Sequence, residues 1–315
     1  MGTNGNVASP RWRVALGWIA VAISTLLAAF WAFWGSIENF HEGWYFSSFW
    51  RNLALMLVQY LSPMLIIIVL SVVAIRWRWL AIPVFGAVVI GLTFLFRRPN
   101  FASVVTIEAP LLLLGGFYRF GYPVPRRWAM RCVIGLPLIT ALACGAYPAW
   151  RVAHRVDDGY YGARRIEGNG VSLVWAPEGP GWPSHYASWW SAAHNCADLT
   201  ADGRSLAAQP QNIWRLPTAE EAVRSLVYRG QNAGGVWNQA NHAAHYRVMP
   251  DKDSPLWNVH SQVIYWWTGT ENGPDKAYRI AYNGYISLLP KQGWGDYWSY
   301  RCVREPDRMK PQEVH

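Results

Sequence analysis

The stretch NIWRLPTAEEAVRSL, residues 212–226, decides how the C-terminal half of this chain is read. Pro217 turns the residue before it away from helical backbone. Thr218 and Glu221 have the T-x-x-E spacing of a capping box, in which each side chain meets the other residue's free backbone N–H. Ala222, Leu226 and Val227 then supply an apolar stripe. Trp214, Arg215, Pro217, Thr218 and Glu221 are therefore expected at a strand-to-helix corner of a compact, water-facing domain.

Working outward, ASWWSAAHNCADL (187–199) places Trp189, Ala193, Cys196 and Leu199 at helical spacing, and VSLVWAP (171–177) reads as a short strand. Downstream lies an irregular region from Arg229 to Ser261, holding Gly234, Gly235 and Pro255. Three strand signals close the domain: VIYWWTG, AYRIAYNGYISLL and YWSYRCVRE. In the second, Asn283-Gly284 between two β-prone runs is the strongest short hairpin signal. Strict alternation would put Trp266 and Trp267 on opposite faces, one in the core and one free.

The N-terminal half is of another kind. The chain has 315 residues, 52% hydrophobic and only 15% charged, a membrane-protein composition. Five apolar runs cover 14–34, 52–75, 79–96, 101–118 and 132–150, with Pro63 at a kink in the second and Glu108 and Pro110 interrupting the fourth. The first is 21 residues without a charge, long enough for a ~30 Å hydrocarbon layer and too long for a signal-peptide core. Residues 1–152 carry 12 Arg and 3 Glu, whereas residues 153–315 carry 16 basic and 16 acidic side chains. The basic excess thus lies between apolar runs, where it sets orientation; a nucleic-acid binder would carry it on a soluble face.

With the N-terminus inside, Arg11, Arg13, Arg76, Arg78, Arg119, Arg126, Arg127 and Arg131 are cytoplasmic and only Arg51, Arg97 and Arg98 are outside. The expected layout is a cytoplasmic tail (1–13), a five-helix bundle (14–150), a juxtamembrane linker (151–168), an extracytoplasmic α+β domain (169–306) and a tail (307–315). Were the fourth run only to dip into the membrane, the domain would be cytoplasmic. The first outer loop, SIENFHEGWYFSSFW (36–50), is rich in aromatics and suits either the headgroup layer or a partner surface. Glu108 is costly in hydrocarbon. It is read as a neutral group bonded at a helix contact or as part of a proton relay, and no second acid, His or Lys lies in the five runs to build the latter.

The series NCADLTADG, WRLPTAEEA, YWWTGTE, AYRIAYNGYIS and YRCVRE, over residues ~169–305, resembles the C-terminal domain family of bacterial collagen-like adhesins. That family is related to the formylglycine-generating-enzyme (sulfatase-modifying-factor) group of C-type-lectin-like folds. The resemblance implies two helices, a small twisted antiparallel sheet, and long loops forming a surface that binds polysaccharides in the adhesins. It also implies a disulfide between Cys196 and Cys302, which an extracytoplasmic compartment permits. Cys132 and Cys144 fall in the fifth run, as small apolar packers.

The oxidases of the wider group depend on a close pair of reactive cysteines near the C-terminal end, and only Cys302 stands there. His242, His245 and His260 could approach a metal, but no HExxH or closely spaced carboxylate accompanies them, and no metal or cofactor is expected. WNQ and WNV occur without the E-P-N or Q-P-D element of calcium lectins. What remains is aromatic: Trp237, Trp257, Trp294 and Trp298, with His242 and His245, are the candidate ligand or partner contacts, from loops 229–262 and 291–298.

The expectation is a multi-pass inner-membrane protein, in contact with lipid and not nucleic acid, carrying a periplasmic non-enzymatic module for a glycan, peptide or envelope protein. The alternatives are an accessory subunit packed on integral membrane partners, and an extracytoplasmic enzyme, for which no catalytic constellation is visible.

Overall fold

The computed structural model describes residues 10–96, 101–292 and 298–306. It divides into two compact units, Met1–Trp44 with Ser48–Ala149, and Tyr45–Ser47 with Trp150–His315.

The first unit is helical: α1 (Arg11–His41), α2 (Phe49–Leu55), α3 (Ser62–Arg76), α4 (Ala81–Phe96), α5 (Phe101–Ser103), α6 (Ala109–Phe120) and α7 (Arg126–Ala153). Among the described residues, three helical stretches are long and apolar enough to cross a membrane: Arg11–His41, Arg78–Leu95 and Arg126–Ala153. A fourth is reached if Phe49–Tyr60 and Ser62–Arg76, bent by 63°, count as one. The bend follows a π-helical turn at Met56–Tyr60 and precedes Pro63, both established causes of kinks. The expected fourth run is split by another π-helical turn, Val104–Glu108, and is not among the helices that qualify.

Small residues bring these helices close. Gly17 lies so near the backbone of Tyr122 and Pro123 that any Cβ would meet it at 2.6 Å or less. Ala20, Val21, Leu70, Ala74, Phe85, Leu114 and Tyr118 form a buried cluster. Within it the Ser24 hydroxyl donates to Ala20 O at 2.8 Å and meets the Tyr118 hydroxyl at 2.9 Å, which satisfies polar groups that hydrocarbon would leave bare.

The second unit is sheet-rich. Its strands are β1 (Arg164–Gly168), β2 (Val171–Trp175), β3 (Val227–Tyr228), β4 (Gln231–Asn232), β5 (Val236–Asn238), β6 (Ala243–His245), β7 (Tyr265–Glu271), β8 (Lys276–Ala281), β9 (Ile286–Pro290), β10 (Trp298–Ser299) and β11 (Val303–Arg304). Its helices are α8 (Trp189–Asp198) and α9 (Ala219–Ser225). The strand orders are β1-β2-β11 and β10-β7-β8-β9, with β3-β4 and β5-β6 as separate hairpins. The Asn283-Gly284 hairpin forms between β8 and β9, Gly284 taking a φ of +85°.

Sheet β10-β7-β8-β9 is covered on both faces. Trp266 and Ile280 enter a core with Trp175, Trp257, Val303 and the α9 residues Ala222 and Val223. Trp267 and Ala277 enter a second core with Trp189, Ala192 and Cys196 of α8. Both Trp266 and Trp267 are thus buried, against the expectation that one would be free. Alternation predicts opposite faces correctly, but it cannot tell that each face has its own helix.

Residues 151–168 are not a linker. The last turn of α7 and the chain after it are bonded to 251–254: Arg151 and Arg155 both pair with Asp251, at 2.8 and 3.0 Å. Val156 N–H donates to Asp253 at 2.7 Å, and Ser254 N–H donates back to Val156 O at 2.8 Å. Arg164–Gly168 then pairs with β2 as β1. The loop expected at 229–261 likewise contains the short strands β4, β5 and β6.

Candidate functional site

The opening motif is built into the fold at its corner. Thr218 Oγ1 accepts from Glu221 N–H at 3.1 Å and Thr218 N–H donates to Glu221 at 2.8 Å, completing the capping box. Arg215 grips the same carboxylate with two 2.7 Å bonds and reaches Glu305 at 2.9 Å. Burial alone would raise the Glu221 pKa; the Arg215 guanidinium and the Thr218 N–H outweigh it and hold the carboxyl below its usual value. Arg215 also exchanges backbone hydrogen bonds with Val303, and the buried Trp214 indole donates to Thr200 O at 2.9 Å. Pro217 O accepts from Gly269 N–H at 2.7 Å. Arg215 thus ties the start of α9 to the closing strand, Pro217 ties it to β7, Trp214 anchors the approach to Thr200, and Thr218 with Glu221 caps the helix, so each of the five has a structural task.

Cys196 on α8 and Cys302 beside β11 form a disulfide. Cys132 and Cys144 are free and half-buried. Glu108 accepts a hydrogen bond from Thr93 of α4 at 3.4 Å.

The candidate contact residues separate into three groups. Trp257 is core: it is 1% exposed and stacks on Trp266 at 3.6 Å, so its placement on a ligand-facing loop is corrected. Trp298 is half-buried, edge-on to Trp267 at 6.0 Å with the Arg279 guanidinium 4.4 Å from its ring. Trp294 lies outside the described residues. Trp237, His242 and His245 all lie on the β5-β6 hairpin, where only the first two are in contact among these three.

That hairpin is shaped by short local bonds. Asn238 Oδ1 accepts from Ala240 N–H at 3.0 Å, and Asn241 Oδ1 from Ala243 N–H at 3.2 Å, turns that Asn favours. They carry His242 into a left-handed conformation, φ +53°, with its ring against Tyr278 at 5.4 Å. Trp237 packs edge-on to the same tyrosine at 5.6 Å and lies 6.3 Å from His242. His245 pairs in register with Val236 on the opposite, exposed face, so the two histidines do not converge. Among the described residues no group of three His, Cys, Asp or Glu side chains could hold a metal ion.

Beside the hairpin opens a cleft of about 490 Å³ lined by His242, Tyr246, Met249, Asn283 and Tyr285. Its floor is firm. Tyr246 donates to Gly284 O at 3.1 Å, and burial pushes its own hydroxyl pKa up, so it stays a proton donor. Asn283 Oδ1 accepts from Tyr285 N–H at 3.1 Å, and Tyr285 stands 59% exposed on the turn. The cleft thus offers ring faces, a phenol, an imidazole and an amide, a set suited to stacking and hydrogen bonding. Tyr246, Asn283 and Tyr285 were not among the sequence candidates; their one local signal was the Asn-Gly turn, which puts its neighbours at a surface.

Comparison of the chain with known protein families, curated proteins and solved structures finds no match in any of the three.

Proposed function

We propose that this chain is a membrane-anchored, non-enzymatic binding module, whose sheet-rich unit faces the outside of an inner membrane and holds a glycan in the cleft between the β5-β6 hairpin and the β8-β9 turn. The observation that carries this reading is the cleft itself, where the exposed Tyr285 and the His242 ring flank Asn283. Sugars present apolar faces and hydroxyl edges, which such a mixture of rings and amides complements.

The finer architecture belongs to the same proposal. Five crossings, with 101–118 as the fourth, would leave the N-terminus and the arginines at 76–78 and 119–131 in the cytoplasm. The disulfide supports an oxidising compartment for the second unit. Two helices and a largely antiparallel sheet support a C-type-lectin-like, formylglycine-generating-enzyme-like fold of the adhesin-associated kind.

The test uses the full chain in detergent on an array of bacterial envelope glycans and peptides. Tyr285→Ala and His242→Ala, both at exposed positions, are expected to weaken the selected ligand at least about tenfold, the effect of losing about 1.4 kcal/mol. Binding that survives both substitutions would remove the cleft from consideration. Selection of a peptide would keep the cleft and replace the ligand class.

A further inference from the structure

The helical unit carries a feature that glycan binding does not use. Ala109, Leu112, Leu113, Gly116, Phe117 and Phe120 follow one another at helical spacing along one face of α6, and with Trp12 and Leu16 of α1 they line an apolar groove of about 610 Å³. The opposite face of α6, through Leu114 and Tyr118, is in the buried helical cluster. Gly116 holds the groove open: a Cβ there would meet nothing within 4 Å. The 12 residues of α6 extend about 18 Å at 1.5 Å per residue, close to one leaflet of a ~30 Å hydrocarbon layer.

One end of the groove is cationic. Trp12 and Phe120 stand there, and over their rings lie the guanidinium groups of Arg13 and Arg119, at 5.2 and 5.8 Å. The Tyr122 N–H donates to Arg13 O at 2.8 Å and ties the two helix ends together. Neither arginine has an ion-pair partner among the described residues. The only acids in residues 1–152 are Glu38, Glu42 and Glu108. The first two lie at or just past the far end of α1 and the third immediately before α6, so all three are remote from the Arg13–Arg119 end. A one-leaflet apolar groove ending in two uncompensated guanidinium groups has the chemistry of an acyl chain with a phosphate headgroup. A transmembrane helix from a partner would instead run on past the arginines and cover them.

We infer that the α1–α6 groove binds one anionic phospholipid, with an acyl chain along Leu112, Leu113 and Gly116 and its phosphate between Arg13 and Arg119. The site rests on the membrane placement of the helical unit, which carbonate extraction of membranes tests on its own.

The experiment is native mass spectrometry of the full chain, released from detergent after equilibration with equimolar phosphatidylglycerol and phosphatidylcholine. Each basic side chain at an anionic lipid surface favours it by about fivefold, so the wild type should retain phosphatidylglycerol in an excess of roughly 25-fold. Arg13→Gln with Arg119→Gln should bring the two lipids within about twofold of each other. Gly116→Leu fills the groove and should cut retained lipid of either kind about tenfold. Gly135→Leu on α7, equally open to a side chain, should leave retention unchanged. An unchanged lipid ratio in the double arginine variant, or unchanged retention in Gly116→Leu, overturns the site. A photo-crosslinker at Leu113 is expected to label lipid in cell membranes; a protein adduct there would assign the groove to a partner helix and overturn it equally.

Discussion

Reducing the Cys196–Cys302 bond should loosen the sheet-rich unit by about 4–5 kcal/mol in the chain-entropy model. The two cysteines are 106 residues apart, and a loop of that size removes roughly 16 cal/mol/K from the unfolded ensemble, about 4.7 kcal/mol at 25 °C. Both residues are fully buried, in the core shared by α8, Trp214 and Trp267. The constraint therefore acts on the segment that joins the first helix to the last strand. Because the two units need not unfold together, a single melting curve is a poor readout. Hydrogen exchange of the α8 amides in the full chain, with and without reductant, reads this unit directly. Their protection should fall by about three powers of ten, at 1.4 kcal/mol per decade. Thiol titration should rise in parallel from the two free cysteines, Cys132 and Cys144, to all four. A loss of protection smaller than tenfold, with four thiols titrating, would refute the reasoning: the unfolded chain would then be held compact by something other than this bond.

Asp251→Ala removes the carboxylate that receives Arg151 and Arg155 and leaves two cations uncompensated; a destabilisation of about 3–5 kcal/mol is expected in urea unfolding. Lys252 is fully buried, its ammonium end against Ser261 O, and desolvation first, with Arg155 adding to it, drives its pKa well below the ordinary lysine value. The unfolded chain therefore binds this proton more readily than the folded one, so this residue makes stability rise with pH up to the unfolded value near 10.4. Lys252→Met should flatten that rise between pH 7 and 10, and an unchanged slope would show that Lys252 is charged in the fold. Gly284→Ala forces a side chain onto a φ of +85° and into the Tyr246 ring. About 2–5 kcal/mol of stability should be lost from backbone strain and overpacking together, measured by urea unfolding.

How much of this was legible depended on the range of the interaction. The capping box at Thr218 and Glu221, the Asn283-Gly284 hairpin, and the core-facing side of 189–199 each rest on contacts within a few residues, and all three are present. The apolar runs were legible for the same reason, since length and hydropathy are local sums. Their number was less so: whether 49–76 is one bent crossing, and whether 101–118 crosses, depends on π-helical turns that hydropathy does not register. The candidate site was half visible. His242 and Trp237 stood out by type, whereas Tyr246, Asn283 and Tyr285 come from two separate hairpins that only tertiary packing brings to the same cleft.

Buried charge shows the division most clearly. Arg301 is fully buried, stacked 3.6 Å from the Trp182 ring, and bonded to the carbonyls of Ala176 and Leu256, a placement that no local sequence signal marks. Lys291 is buried too, between Trp189 and Trp190 at 4.4 and 4.5 Å, with Glu271 and Pro274 O as its polar partners. By itself the sequence determined the two-part build, a helical half rich in apolar runs and a capped, hairpin-closed α+β half, because periodicity and end signals are written within single elements. Only the tertiary structure decided which tryptophans are core, that 151–168 belongs to the second unit, and that Lys252, Lys291 and Arg301 lie inside it. Each of those outcomes depends on what a distant segment brings to cover or to neutralise the residue.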